Sequence, residues 1–410
     1  MRISSLVRIV LLLLGASMVA TAGGSLYSRY AVGDLLSFSG TRSYALGGAS
    51  IALIGGDFIN IRNPAGLAKI PFTRFAGSFE FTNISSATDA GSARYGAGEF
   101  QSASMAIPID TAEGIVLSFA VTPYSTVRYA VSRSDTSALA ASDQKFYGSG
   151  GLSTVTLGLS ASVFTDIHLG GSASYYFGRT RQYATISFLE TSLTGVSVDR
   201  STYYSGFGFT GGLIWEGIGR RLNVAALREL TLGAVVSTGV SLEADQQVTY
   251  TQPDSTITLP GSFDLPVSFG VGAAYQAGSR ALVTGEILMQ NWSSARRSHA
   301  PIPELRNSLQ FALGYELAGG RDFESYWSRV NYRAGAYYQS GYLRLNGSDI
   351  SEYGITGGVG LPIGPDSRLD IGVQVARRGT TGAGLQQDTM IRVSVGVTAS
   401  EVWFMQFQDE

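Results

Sequence analysis

From residue 72 to about 399 the chain alternates apolar and polar side chains, segment after segment. In 73–81, Phe75, Gly77, Phe79 and Phe81 fall on one face while Arg74, Ser78 and Glu80 fall on the other. In 152–164, Val155, Leu157, Leu159, Ala161 and Val163 oppose Thr156, Gly158, Ser160 and Ser162. Near the end, Ile391, Val393, Val395 and Val397 oppose Arg392, Ser394, Gly396 and Thr398. A period of two marks strands with unlike faces. Fourteen segments of this kind can be counted, approximately 72–83, 92–108, 113–124, 151–165, 167–181, 198–216, 228–247, 264–276, 280–291, 306–318, 329–341, 353–361, 367–377 and 388–399. A soluble sandwich shares the alternation. Two features favour a membrane barrel instead: runs of about ten residues, the length a tilted spanning strand needs, and polar faces built from Gly, Ser and Thr with few Lys or Glu.

The connections alternate in length. Those after odd-numbered segments (84–91, 125–150, 182–197, 248–263, 292–305, 342–352, 378–387) are long, and most of the others are tight. The exceptions, 217–227 and 319–328, read as embellished turns or as a miscounted strand pair. Outer-membrane barrels carry long outer loops and short periplasmic turns, so both chain ends are expected in the periplasm. Barrels of about eight strands fill with their own side chains, whereas 16–18 leave an aqueous channel; fourteen needs a filler. Residues 43–70 offer one. They are apolar and glycine-rich with no sustained period, and they end in Asn63-Pro64-Ala65-Gly66, where the backbone must bend. The expected fold is all-β, a transmembrane antiparallel β-barrel of about 14 strands at 72–399. An N-terminal plug at 23–71 occupies its lumen, and a periplasmic tail follows at 400–410.

Composition sharpens this picture. The first 22 residues read as a secretory signal: Arg2 and Arg8, an apolar core from Ile9 to Leu14, and Ala20-Thr21-Ala22 as the cleavage site, expected near Ala22. Without Arg2 and Arg8 the chain holds 27 basic against 31 acidic residues, which argues against nucleic acid as a partner. Gly numbers 52 of 410 residues, Tyr 21 and Phe 20, and only 15% of residues are charged, low for a soluble domain. Cysteine is absent and the two histidines are His168 and His299, so no thiolate or multi-histidine metal site is expected, and no cofactor. A Ser–His pair would have to use one of these two histidines, and no nucleophile elbow accompanies either; the chain is not expected to be an enzyme.

Thr41 to Ile70, with Ser43-Tyr44-Ala45-Leu46-Gly47-Gly48-Ala49 and Asn63-Pro64-Ala65-Gly66-Leu67-Ala68, resembles the hatch of the FadL family of outer-membrane transporters of hydrophobic compounds. Leu259-Pro260 before Val267-Ser268-Phe269-Gly270-Val271-Gly272, and Asn331-Tyr332-Arg333-Ala334-Gly335, are similar to further family segments. The chain departs from the pattern in continuing past its last strand as Glu401 to Glu410. The resemblance implies an outer-membrane channel for passive uptake of small hydrophobic molecules, of the long-chain fatty acid or hydrocarbon type. It also implies a ligand-binding hatch and a kink in the third strand that opens the wall sideways into the bilayer. Gly114 and Pro123 are the kink candidates, and Pro123 also reads as the end of its strand. Asn63, Pro64, Ala65 and Gly66 read either as a gate or as a turn from plug to wall.

By parity Arg74, Glu80, Glu286, Glu316, Arg333, Asp370 and Arg392 point inward. Arg74, Arg333 and Arg392 are candidates for a carboxylate head group, with pairing to other charges as the competing role. Leu46, Ile51, Leu53, Ile54 and Phe58 are candidates for an acyl-chain pocket or for plain plug packing. Trp215, Trp292, Trp327, Tyr337 and Tyr338 read as interface girdle. The partners expected are a hydrophobic small molecule and outer-membrane lipid, with the protein a monomer. The alternative functions are a PorV-like type IX secretion component binding partner proteins, or a structural barrel.

Overall fold

The computed structural model describes residues 24–36, 40–89, 91–135, 141–188, 193–251, 254–320, 325–364 and 366–401. The expected signal at 1–22 and the tail from 402 onward lie outside the described residues. The alternating segments form fourteen antiparallel strands. They are β1 (Thr73–Thr88), β2 (Gly91–Asp110), β3 (Ile115–Asp135), β4 (Ser142–Phe164), β5 (Ile167–Phe188) and β6 (Val196–Trp215). Next come β7 in two pieces (Leu230–Ser237, Val240–Thr251) and β8 in three (Asp254–Leu259, Ser262–Leu265, Ser268–Ala277). The remainder are β9 (Ala281–Gln290), β10 (Ser308–Leu317), β11 (Asn331–Gln339), β12 (Glu352–Pro362), β13 (Arg368–Gly379) and β14 (Gln387–Glu401). β14 pairs back onto β1 from Glu401↔Thr73 to Gln387↔Ala87, so the sheet closes.

Apolar side chains on the outer face stay exposed, Phe207 at 68% and Ile355 at 66% among them, while Glu286, Glu316, Arg333 and Asp370 on the inner face are buried. A surface that is greasy outside and polar inside is stable only with hydrocarbon around it. The chain is an outer-membrane β-barrel. The span 217–227 holds α2 (Ile218–Leu222) and a 3-10 turn, Ala225–Leu227, so it is an embellished turn; α1 (Thr41–Ala45) lies before the barrel.

Three expectations change. The first six strands run 16 to 23 residues rather than about ten. Most of the stretches expected as outer loops at 84–91, 125–150 and 182–197 are strand. Their mixed polarity hides this, but the ladder continues in register to Asp135↔Ser142 and Ser142↔Phe188, which satisfies the backbone groups beyond the bilayer. Second, the described N-terminal residues sit in the outer half of the lumen, not at the periplasmic rim. Ser25 Oγ donates to Asp388 (2.6 Å) and Ser28 Oγ to the Arg128 carbonyl (2.9 Å). Third, Trp292 and Tyr337 are buried and not part of a girdle. The outer connection after β9 folds inward, packing Trp292 against Tyr342 with ring centroids 4.8 Å apart and the rings tilted by 36°.

Residues 41–70 travel round the inside of the wall against successive strands. A Cβ added at Gly396 of β14 would meet Thr41; at Gly372 of β13, Tyr44; and at Gly335 of β11, Leu46 and Gly47. Further round, Gly233 of β7 faces Ile51, Gly212 of β6 faces Asn63, and Gly170 of β5 faces Pro64 and Ala65. All these glycines lie three to five residues from the end of their strands opposite the long outer connections. The small polar face noted in the sequence is therefore the seat of an inner ring near the periplasmic rim.

Candidate functional site

Two layers occupy the lumen. In the lower, Leu46, Leu53 and Phe58 cluster with Ala274, Ile51 is fully buried and Ile54 is half-buried. Asn63 caps the 3-10 turn Pro64–Leu67 by accepting from the Ala65 N–H (3.1 Å). Its amide donates to the carbonyls of Ile51 (2.7 Å) and, in the wall, Leu213 (3.2 Å). Gly66 packs where a Cβ would lie 2.7 Å from the Leu53 carbonyl oxygen. Asn63, Pro64, Ala65 and Gly66 thus bolt the inner segment to β6.

Charge holds the same layer. Arg368, Asp57, Arg42, Glu316, Arg333 and Asp370 form an alternating chain, with contacts of 2.9 Å (Arg368–Asp57), 3.0 Å (Arg42–Asp57), 2.9 Å (Arg42–Glu316) and 2.8 Å (Arg333–Glu316). Higher up, Arg392 donates to Glu352 (3.0 Å) and Gln374 (3.1 Å). Arg74 donates to the Asp366 carbonyl (3.2 Å). Of the three candidate arginines, Arg333 and Arg392 are thus engaged by protein carboxylates. The sequence reading placed Glu286 and Glu316 inward but missed Arg42, Asp57 and Arg62 as the inner segment's share of these pairs; the signal available was three charges in or beside an apolar, glycine-rich stretch.

Burial pushes the Asp57 carboxyl up, but the Arg42 and Arg368 guanidiniums overcome this and hold it well below the usual carboxylate range. A depressed folded value gives stability that is present above the unfolded pKa and lost as pH falls through the folded one. Asp57→Asn is therefore expected to lower the thermal midpoint at neutral pH. The gap from wild type should narrow only in strong acid, as midpoints measured from pH 7 down to pH 2 will show.

At the short-turn end, His168 is buried with Nδ1 2.8 Å from Ser162 Oγ and Nε2 2.8 Å from Glu216, which also binds Lys69 (2.7 Å). The Ser162 N–H already donates to the Glu113 carbonyl (2.7 Å). The row clasps the end of the inner segment to the wall.

The upper layer contains a seam. β2 and β3 pair only from Ala103–Asp110 to Ile115–Val121; above this their facing edges share no ladder. Pro123, which has no N–H to give, sits within β3 at a register shift against β4 between Pro123 and Ser125, and β3 then continues to Asp135. Gly114 lies at the other end, in the turn before β3, with φ +61°. Asp34–Leu35 pairs with Thr126 and Ser125 along part of the free β3 edge, and Arg128 reaches Glu99 across the gap (2.7 Å). Behind the seam is a cavity of about 110 Å³, bordered by Tyr95, Phe100, Pro123, Leu36, Glu352 and Arg392.

A closed fourteen-stranded wall, residues 41–70 packed along its inner face and a partly unpaired seam between β2 and β3 define a FadL-like outer-membrane barrel. The chain belongs to the BamG family, whose model matches residues 2–408. Among solved structures it is similar to a Pseudomonas aeruginosa FadL homologue (15% identity, TM-score 0.59, covering 90% of this chain and 99% of that one). It is also similar to the P. putida toluene transporter TodX (15%, TM-score 0.58, 90% and 100%) and the CymD monoaromatic hydrocarbon channel (14%, TM-score 0.57, 90% and 99%). At these identities the likeness is one of fold. No curated protein matches the sequence.

Proposed function

We propose that this protein is a channel for small hydrophobic molecules, which enter the upper lumen from outside and leave sideways between β2 and β3 into the outer leaflet. The observation that carries this reading is the seam: above Ala103 and Val121 the wall is unzipped, with a cavity directly behind it. The inner ring at 41–70 acts as the plug, standing across the axial route, so the lateral exit is the shorter one. The proteins that share the fold include a toluene transporter and a hydrocarbon channel, which supports this class of cargo.

The chain has no cysteine, so a pair introduced across the seam reports cleanly. Glu99→Cys with Arg128→Cys, joined by a short bismaleimide, is expected to cut uptake of labelled hydrocarbon and fatty acid in a complemented deletion strain by tenfold or more. The unlinked double variant should retain uptake. Full uptake after quantitative linking would sink the lateral route. Unchanged uptake in the deletion strain itself, with loss of proteins from the cell surface, would favour a partner-binding role instead.

A further inference from the structure

We propose that the outer mouth binds a phosphate-class dianionic head group attached to an apolar body. Between the outward extensions of β3–β6 and the connection after β9 lies a second cavity, of about 480 Å³, separate from the one behind the seam. That size suits a small organic ligand. Three arginines border it: Arg29 from the N-terminal turn, Arg200 from β6, and Arg297 from the β9–β10 connection. Glu304 is the single acid on its lining, so the site carries two uncompensated positive charges.

These arginines differ from those deeper in the lumen. Arg42, Arg62, Arg333, Arg368, Arg378 and Arg392 each contact a carboxylate. Among the described residues, no carboxylate lies within ion-pair distance of Arg29, Arg200 or Arg297; Arg29 stacks on Tyr30 and Arg297 on Phe263. Three guanidinium forks, two of them set against aromatic faces and none with a carboxylate within ion-pair distance, suit an oxyanion, which they bind bidentately. Tyr30, Phe146, Ile302 and Leu305 supply apolar surface beside them, enough for an alkyl or aromatic body. The inference deepens the uptake reading by giving the entrance a head-group chemistry, but binding at the mouth does not require transport.

The test is calorimetric titration of the purified full-length barrel in nanodiscs. The probes are dodecyl phosphate, dodecanoate, dodecanol and inorganic phosphate. Dodecyl phosphate is expected to bind, dodecanoate at least fivefold more weakly, and dodecanol without saturation. The pair Arg200→Gln with Arg297→Gln should lower dodecyl phosphate affinity tenfold or more while leaving the thermal midpoint in place. Competition by nanodisc lipid A but not by inorganic phosphate identifies a lipid head group as the source, and the reverse identifies a soluble phosphate ester. Equal affinity for dodecanol, or unchanged affinity in the double variant, overturns the proposal. Failure of cellular uptake with arginine-dependent binding intact overturns only the transport reading.

Discussion

Glu286→Ala is expected to detach the inner segment from the wall while the barrel itself remains closed. The Glu286 carboxylate, on β9, accepts from the Ser50 N–H (2.6 Å), the Ile51 N–H (2.9 Å) and Arg62 Nη1 (2.8 Å). All of this is out of water: the Glu286 side chain is 1% exposed and that of Arg62 13%. Alanine strands a buried guanidinium, a loss of about 3–5 kcal/mol, and leaves two backbone donors unmet at about 1–3 kcal/mol each. The strand ladder is untouched, because Glu286 pairs through its backbone with Gly272 and Ala312. In planar bilayers the variant should show long open events where the wild type is quiet. Glu286→Gln, which keeps one acceptor, should fall between them, and Arg62→Ala should do less because the two N–H bonds survive. Quiet traces and an unmoved thermal midpoint for Glu286→Ala would mean that this carboxylate does not hold the segment.

How much of this was legible beforehand depended on whether a feature is local. Side-chain parity is local, so the fourteen strands and the inward set Glu286, Glu316, Arg333 and Asp370 could be read from alternation alone. The β2–β3 seam could not. Tyr95 to Phe100 looks the same with or without a neighbour, because pairing belongs to two strands and leaves no mark on one. Trp292 looked like an interface residue because it follows a strand end. Its burial depends on the outer connection folding inward onto Tyr342, fifty residues further on. Asp57 and Arg42 were hidden in an apolar stretch. Their roles appear only when Glu316 of β10 and Arg368 of β13, distant in sequence, meet them on the inner face of the wall. The Asn-Pro-Ala-Gly turn was visible as a bend. Its use as a bolt needed Leu213 of β6 beside it.

The second large effect separates two adjacent glycines of β5. A Cβ at Gly170 would lie 2.3 Å from the Ala65 nitrogen and 2.4 Å from the Pro64 carbonyl carbon. Both are backbone atoms, so no rotamer change relieves the clash and either the inner segment or the strand must move. At Gly171, which faces outward, nothing lies within 4 Å. Gly170→Ala is therefore expected to cost at least the ~1–3 kcal/mol of an overpacked core, whereas Gly171→Ala should be neutral or slightly stabilising, since glycine weakens a strand. Gly335→Ala, where the added carbon would meet the Gly47 nitrogen at 2.4 Å, should behave like Gly170→Ala although it lies on another strand. Thermal midpoints, together with limited proteolysis mapped to 41–70, give the comparison. Matching losses at Gly170 and Gly171 would mean that alanine perturbs the strand itself. A loss confined to the inward positions means that the wall is shaped, strand by strand, to seat the ring it encloses.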